Sequence, residues 1–278
     1  MIVRNAPAKV NLGLHVLRRR DDGFHDLATV FLPIGWADTL TAELSSRVTL
    51  ATSDPALPTD ESNLVVRAAL ALRSWAGLEV GAQFHLDKRV PYGAGLGGGS
   101  SDAAAALRLL ADLWDLEVPP ADLARLALDL GSDVPFFLES EPSIGLGRGE
   151  RLRALEGYAC PFWLVVAVPP VHVSTAEAFT GVVPRSDGRP DLAAAVVSND
   201  LERWREEVTN DFQPPVEAAH PVIADVRRAL EDRGAGWAAL SGTGSAVVGA
   251  FEDGADARRV ASSLEDGCRV WLEPPAGL

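Results

Sequence analysis

Five glycines in seven residues, Gly93 to Gly99, run into an alanine-rich stretch that opens Ser100-Ser101-Asp102 and has the composition of a helix. The chemistry on offer is anion binding. Glycine lets the backbone come close to a ligand, and the first amides of a helix lack internal partners and carry the positive end of the macrodipole. A phosphate fits such a place.

Three loop designs hold phosphates in this way. A Walker loop ends in Gly-Lys-Ser/Thr, and here Gly99 is followed by serine with no lysine in the loop, which excludes it. A dinucleotide fingerprint is formally matched by Gly93, Gly95 and Gly98, with Glu117 roughly 20 residues on, where a ribose-binding acid would stand. The stretch Pro120 to Leu130, however, reads as a second helix where a βαβ unit requires a strand. The third design is treated below.

Lysine is the next chemical signal. Of the 25 basic residues 23 are arginine, and the two lysines are Lys9 and Lys88. A composition that avoids lysine so thoroughly marks the survivors as candidates for roles that a broad planar guanidinium cannot fill. From Ala8 the pattern alternates, with Val10, Leu12, Leu14 and Val16 on one face and Lys9, Asn11, Gly13 and His15 on the other. Lys9 and Asn11 should therefore point the same way. Ala82 to Val90 reads as another strand, with Phe84, Leu86, Lys88 and Val90 on one side.

The remaining elements must position these groups. Arg18 to Gly23 is a turn, Leu64, Val65, Ala68, Leu72 and Trp75 have helical spacing, and Leu107, Leu110 and Trp114 mark the helix after the glycine loop. A further helix stops at Leu130 before Gly131, which leaves Asp133 just beyond a helix end. Past residue 155, strands are expected at Phe162 to Val168, Ser245 to Phe251 and Arg269 to Leu272. Helices are expected from Leu192, from Val216 and over Ala255 to Leu264, with a loop at Gly181 to Pro190. This mixture indicates an α+β chain.

Composition narrows the function further. The net charge of −14 argues against a nucleic-acid or anionic-membrane partner. Two cysteines, Cys160 and Cys268, are too few for a disulfide framework and lack metal-ligand spacing. No apolar run approaches the roughly 20 residues of a membrane span, and Met1-Ile-Val-Arg lacks a signal pattern, so a cytoplasmic location is expected.

The glycine loop resembles the nucleotide-binding motif of the kinase family named after galactokinase, homoserine kinase, mevalonate kinase and phosphomevalonate kinase (GHMP). The resemblance extends through Ala6-Pro-Ala-Lys-Val-Asn-Leu12, Asp22-Gly-Phe-His25, Ser62-Asn-Leu-Val-Val-Arg67, Gly131-Ser-Asp-Val-Pro-Phe136, Gly147-Arg-Gly-Glu150 and Ser241-Gly-Thr-Gly-Ser245. The extra glycines before Ser100 resemble a branch whose acceptor is a cytidine-diphosphate sugar alcohol.

The resemblance implies an α+β fold with two parts: residues 1–155, like the second domain of ribosomal protein S5 and carrying the ATP loop, and residues 156–278, ferredoxin-like. It implies ATP and Mg²⁺ as cofactors. Lys9 and Asp133 would be the catalytic pair. Pro91, Gly93, Gly95, Leu96, Gly97, Gly98, Gly99, Ser100 and Ser101 would hold the nucleotide phosphates, and Asn63 and Lys88 the adenine end. Two alternatives stay open on the residues: Asn63 is equally a helix N-cap before Leu64, and Ser100 or Ser101 either caps its helix or ligates the metal. On the acceptor side the resemblance implies Asn11 for the hydroxyls and Phe24, His25 and Phe179 for the base, though Phe179 also reads as core. A mevalonate-type kinase and a non-catalytic nucleotide-binding relative are the alternatives. The Gly-Phe-His block speaks against the first, and the presence of both Lys9 and Asp133 against the second.

Overall fold

The computed structural model describes residues 1–277. The chain opens with two long strands, β1 (Ile2–Arg19) and β2 (His25–Ser45), then β3 (Thr49–Thr52), α1 (Leu64–Ala76), β4 (Gly81–Asp87), α2 (Gly98–Leu113), α3 (Pro120–Leu130) and the single turn α4 (Phe136–Glu139). There follow β5 (Ser143–Gly147), β6 (Arg151–Ala154), β7 (Trp163–Val168), α5 (Thr175–Thr180), α6 (Leu192–Val197), α7 (Leu201–Glu207), α8 (Gln213–Ala219) and α9 (Pro221–Asp232). The chain ends in β8 (Trp237–Leu240), β9 (Val247–Phe251), α10 (Gly254–Leu264) and β10 (Arg269–Glu273). Among the described residues no helix is long and apolar enough to cross a membrane.

Two compact units are formed, and both are discontinuous in sequence. One comprises residues 1–8, 35–92 and 97–140, the other residues 9–34, 93–96 and 141–278. A single cut near residue 155 does not reproduce this division, because β1, β2 and the glycine loop each contribute residues to both units.

In the first unit β4 pairs antiparallel with the far half of β2, from Thr39↔Asp87 to Ser45↔Gly81, and β3 runs parallel to β4 on its other side. Helix α2 packs on α1, α3 and α4. It is enclosed nearly all round, with Ser101 to Leu107 buried, and its four consecutive alanines let neighbouring helices approach closely. Helix α1 is bounded by Asn63, whose side chain accepts from Val65 N, and by Gly77 at φ 63°, a left-handed C-cap.

In the second unit β5 pairs with the near half of β2, from Leu27↔Gly147 to Phe31↔Ser143, and β6 continues from β5. A four-stranded antiparallel sheet in the order β10-β7-β9-β8 forms the rest, with α9 against β8 and β9, and α10 against β7 and β10. Its core joins Val165, Ala167, Val247 and Phe251 to Ile223, Leu230 and Val260 of the helices, and to Leu14 and Val16 of β1. The fold class is α+β, as expected.

Candidate active site

Strand β1 delivers Lys9 and Asn11 to one side, as its alternation dictates. Lys9 Nζ donates to Asn11 Oδ1 at 2.5 Å and to the carbonyl of Gly95 at 3.0 Å. Asn11 donates from Nδ2 to Thr29 Oγ1 (2.7 Å), and its backbone N–H donates to Ser241 Oγ (3.0 Å). Both residues are almost enclosed, at 3% and 1% exposure. Asn11 Oδ1 and the Gly95 carbonyl help hold the ammonium at a defined point, and it leans on the Phe31 ring, 5.3 Å from its centroid.

The first part of the glycine loop is fastened to the same place. Lys9 N donates to Leu96 O and Ala246 N donates to Ala94 O, each at 3.0 Å. A Cβ on Gly95 would lie 2.1 Å from Ser241 O, and one on Gly244 would lie 2.1 Å from Ala94 C and Gly95 N. Glycine at these two positions is therefore explained by backbone-to-backbone packing of the two motifs, Gly93–Leu96 and Ser241–Ser245. The Leu96 side chain is core, at 1% exposure.

The second part opens α2 in the other unit. The helix begins at Gly98, two residues before the expected start, with Gly97 as N-cap at φ 71° and no side-chain cap. Ser101 N closes the first turn onto Gly97 O at 2.9 Å, so the amides of Gly98, Gly99 and Ser100 precede any intrahelical acceptor. A Cβ on Gly99 would meet nothing nearer than Leu64 Cδ1, at 3.9 Å. The expected capping role falls away for both serines, because they lie inside the first turn. Ser101 Oγ is buried without a hydrogen-bond partner.

Lys88, expected at the adenine end, is engaged in a buried ion cluster. Its ammonium bridges Asp38 Oδ2 at 2.5 Å and Asp102 Oδ2 at 2.7 Å, and the three side chains are 3%, 0% and 4% exposed. Asp38 Oδ1 also accepts from the backbone N–H of Arg89 and Val90. The ion cluster stands beneath the first turn of α2, where a Cβ on Gly98 would come within 3.0 Å of Lys88 Nζ. Pro91, next along the chain, is buried. Asn63 has both ends of its amide engaged, Oδ1 with Val65 N and Nδ2 with Pro58 O, which establishes the capping role. Asp133 sits half-buried in the turn between α3 and α4.

Two carboxylates around one ammonium leave a net negative charge in a buried place. Burial drives the Asp102 carboxyl up to about 7; Lys88 opposes this and Asp38 adds to it. Burial acts to lower the Lys88 pKa, but the two carboxylates outweigh it and hold it raised.

On the acceptor side Phe24 is 50% exposed, with the Arg148 guanidinium 4.7 Å from its ring centroid. His25 stacks on Phe179 at 4.5 Å and 20°, while Phe179 meets Phe212 edge-on at 4.8 Å. Burial, then Arg19, lowers the His25 pKa. Phe179 is thus part of the core wall as well as a stacking partner. A base has no gap to enter between His25 and Phe179 at this spacing, whereas Phe24 is half exposed beside the Arg148 guanidinium.

A separate cavity of about 370 Å³ in the second unit, lined by Arg205, Thr209, Asn210 and Gln213 among others, contains none of the residues expected at the site.

The GHMP kinases N terminal domain profile matches residues 63–141, and the GHMP kinases C terminal profile matches residues 192–270. The 4-diphosphocytidyl-2-C-methyl-D-erythritol kinase of Salinibacter ruber is 50% identical over 269 residues, 95% of each chain. The chain belongs to the GHMP kinase family. A kinase of the same description from Chlorobaculum parvum is 44% identical over 274 residues, 97% of this chain and 96% of its own. The crystal structure of a 4-(cytidine 5'-diphospho)-2C-methyl-D-erythritol kinase superposes with a TM-score of 0.84 at 37% identity, covering all of both chains. Homoserine kinase from Cytophaga hutchinsonii shares the fold, with a TM-score of 0.73 at 19% identity. As a GHMP kinase the chain is a phosphoryl-transfer enzyme that uses ATP.

In this GHMP kinase the residues that sequence reasoning missed are Asp38, Asp102, Arg148 and Ser241 as individual groups. Ser241 was visible only as part of a motif. Asp38 carried no signal, since its partners are 50 or more positions away in sequence. The ion cluster has a measurable consequence. The Asp102 carboxyl ionises near 3.8 in the unfolded chain and near 7 in the fold, so its stabilising contribution is full below about pH 4 and is lost as the pH rises toward 7. Asp102→Asn resembles the protonated acid, so the difference in Tm between variant and wild type should move in the variant's favour from pH 5 to pH 8. A flat difference in thermal melts across that range would remove the uncompensated charge from the account.

Proposed function

We propose that this kinase transfers the γ-phosphoryl group of ATP to the 2-hydroxyl of 4-diphosphocytidyl-2-C-methyl-D-erythritol, a cytoplasmic step of non-mevalonate isoprenoid precursor synthesis. The observation that carries this reading is the 50% identity to a kinase of that name across 95% of both chains. The geometry supports it: Gly93–Leu96 of the glycine loop is fastened to the Ser241–Ser245 motif by backbone packing.

Phosphoryl transfer needs positioning and charge stabilisation more than covalent chemistry. The unengaged amides of Gly98, Gly99 and Ser100 receive phosphate oxygens at the positive end of α2. Lys9, fixed by Asn11 and Gly95, places a compact positive charge for the moving phosphoryl group. Asp133 takes the proton of the 2-hydroxyl as its oxygen attacks phosphorus, and the bond from phosphorus to the β–γ bridging oxygen breaks with ADP leaving. Asn11 orients the hydroxyls, while Phe24 and His25 receive the cytosine ring.

Among the described residues no three or more His, Cys, Asp or Glu side chains are gathered as a metal site. Mg²⁺ suits this arrangement, because it commonly rests on substrate phosphates, waters and one or two protein oxygens. The buried and unpartnered Ser101 Oγ is the donor that fits. When bound, the ion offsets phosphate charge.

The test incubates purified protein with ATP, Mg²⁺ and a panel of alcohols that includes the cytidine-diphosphate substrate, mevalonate and homoserine. Phosphorylated product should form from the first alone. Phe24→Ala should raise its KM, since a lost base stack is worth roughly 1–3 kcal/mol, and leave the ATP KM unchanged. Preferential phosphorylation of mevalonate or homoserine would overturn the assignment.

A further inference from the structure

Residues 209–213, met above as cavity lining and as the Phe212 ring, also join strand β1 to the Ser241–Ser245 loop of the second unit. The Asn210 side chain is 4% exposed. Its Nδ2 donates to Leu240 O at 2.8 Å and to Gly242 O at 2.9 Å, and its Oδ1 accepts from Phe212 N at 2.9 Å. One amide therefore spans the last residue of β8 and the left-handed Gly242 (φ 58°), which fixes the angle at which the Ser241–Ser245 loop leaves the strand. The same segment grips β1: Leu14 N donates to Thr209 O at 2.8 Å, and Asp211 N donates to Leu14 O at 2.9 Å. Asp211 Oδ2 further accepts from Val16 N at 2.7 Å. Lys9 and Asn11 stand five and three positions before Leu14 on that strand, about 10–17 Å along it.

We propose that Asn210 is a positioning residue for the nucleotide end of the site, which sets the Ser241–Ser245 loop against the Gly93–Leu96 loop and the strand that carries Lys9 and Asn11. This rests on the reading of those loops as holding ATP. The contact it serves is tight: Ser241 Oγ donates to Gly95 O at 3.3 Å, and a Cβ on Gly242 would lie 3.1 Å from Asn11 Oδ1. Only a short carboxamide offers two donors and one acceptor in this space. Aspartate has the same shape but presents a carboxylate to two carbonyls. Serine leaves room that the adjoining cavity of about 370 Å³ can supply with water, so a folded variant is attainable.

The test uses the full chain with Asn210→Asp and Asn210→Ser, and Ile223→Ala as a control that loosens the buried core of α9. Steady-state kinetics in ATP and in acceptor, and hydrogen exchange without ligand, are measured on each. The Asn210 variants should raise the ATP KM by roughly tenfold and lower kcat, with the acceptor KM within about twofold. Exchange should accelerate over Ser241–Ala246 while Trp163–Val168 stays protected. Ile223→Ala should lower Tm without changing the ATP KM. An unchanged ATP KM with unchanged local exchange overturns the proposal, and so does a uniform loss of protection with the ATP KM of the control. The exchange arm needs no turnover, so a failure of the kinase assignment would show separately, as wild-type protein inactive on the substrate. If Asn210→Asp does not fold, Asn210→Ser decides.

Discussion

Asp133→Asn should leave the protein folded, with both KM values within about threefold of wild type, and slow turnover by roughly 10²–10⁴-fold, the usual worth of a positioned general base. Asparagine keeps the shape and can still orient a hydroxyl, but it cannot accept the proton that the attacking oxygen must lose. Position favours this separation of effects. Asp133 occupies the turn between α3 and α4, whose backbone is held independently by Val134 N to Gly131 O and Phe137 N to Val134 O. Those bonds are made by the backbone, and asparagine leaves them in place. Single-turnover measurements of the chemical step, beside thermal melts, are the check. A folded variant with near-normal turnover would sink the base assignment and leave catalysis to orientation and charge alone.

The pairing of Lys9 with Asn11 was legible in sequence because strand alternation is a local signal. Lys9 and Asn11 two apart on a strand must share a face, and the structure joins them directly. Helix α3 was legible to the residue, with Pro120 at its start and Gly131 at its stop. The start of α2 was not, because glycines read as loop, whereas here Gly98 and Gly99 are already helical and Gly97 turns the corner at φ 71°. The partners of Lys88 were not legible either: the strand expected to run to Val90 ends at Asp87, and the ammonium pairs with Asp38 and Asp102, 50 and 14 positions away. Nothing periodic marks such long-range ion pairing. Strand β8 and the Asn210 hub were missed likewise, since their logic lies in what each packs against.

Gly95 and Gly244 refine what a glycine-rich motif means. At these two positions glycine is required by packing, because an added Cβ on either would meet the other motif's backbone. The open amides are those of the following helix, Gly98 to Ser100. Motif-to-motif packing and open helix-start amides are thus divided along one short segment, so a side chain at Gly95 displaces a neighbouring loop whereas one at Gly99 meets nothing nearer than Leu64 Cδ1 at 3.9 Å.

Lys9→Arg should be the most damaging conservative change, with kcat lowered by roughly 10²–10³-fold, the range seen when one preorganised donor to a transition-state charge is removed. The ammonium lies between Asn11 Oδ1 and Gly95 O in a space 3% exposed, and Phe31 closes one side. A guanidinium is broader and planar, so it cannot occupy that point without displacing Gly95, and Gly95 is already in contact with the Ser241 loop. The damage should therefore reach the ATP KM as well as kcat, a signature that separates Lys9→Arg from Asp133→Asn. Lys9→Met removes the charge at nearly constant volume and should lower kcat with less effect on Tm, because overpacking costs stability as well as function. If Lys9 and Asp133 serve one transition state, the double variant Lys9→Met with Asp133→Asn should be little slower than the poorer single variant. Fully multiplicative losses would instead mean that the lysine and the aspartate act on separate steps.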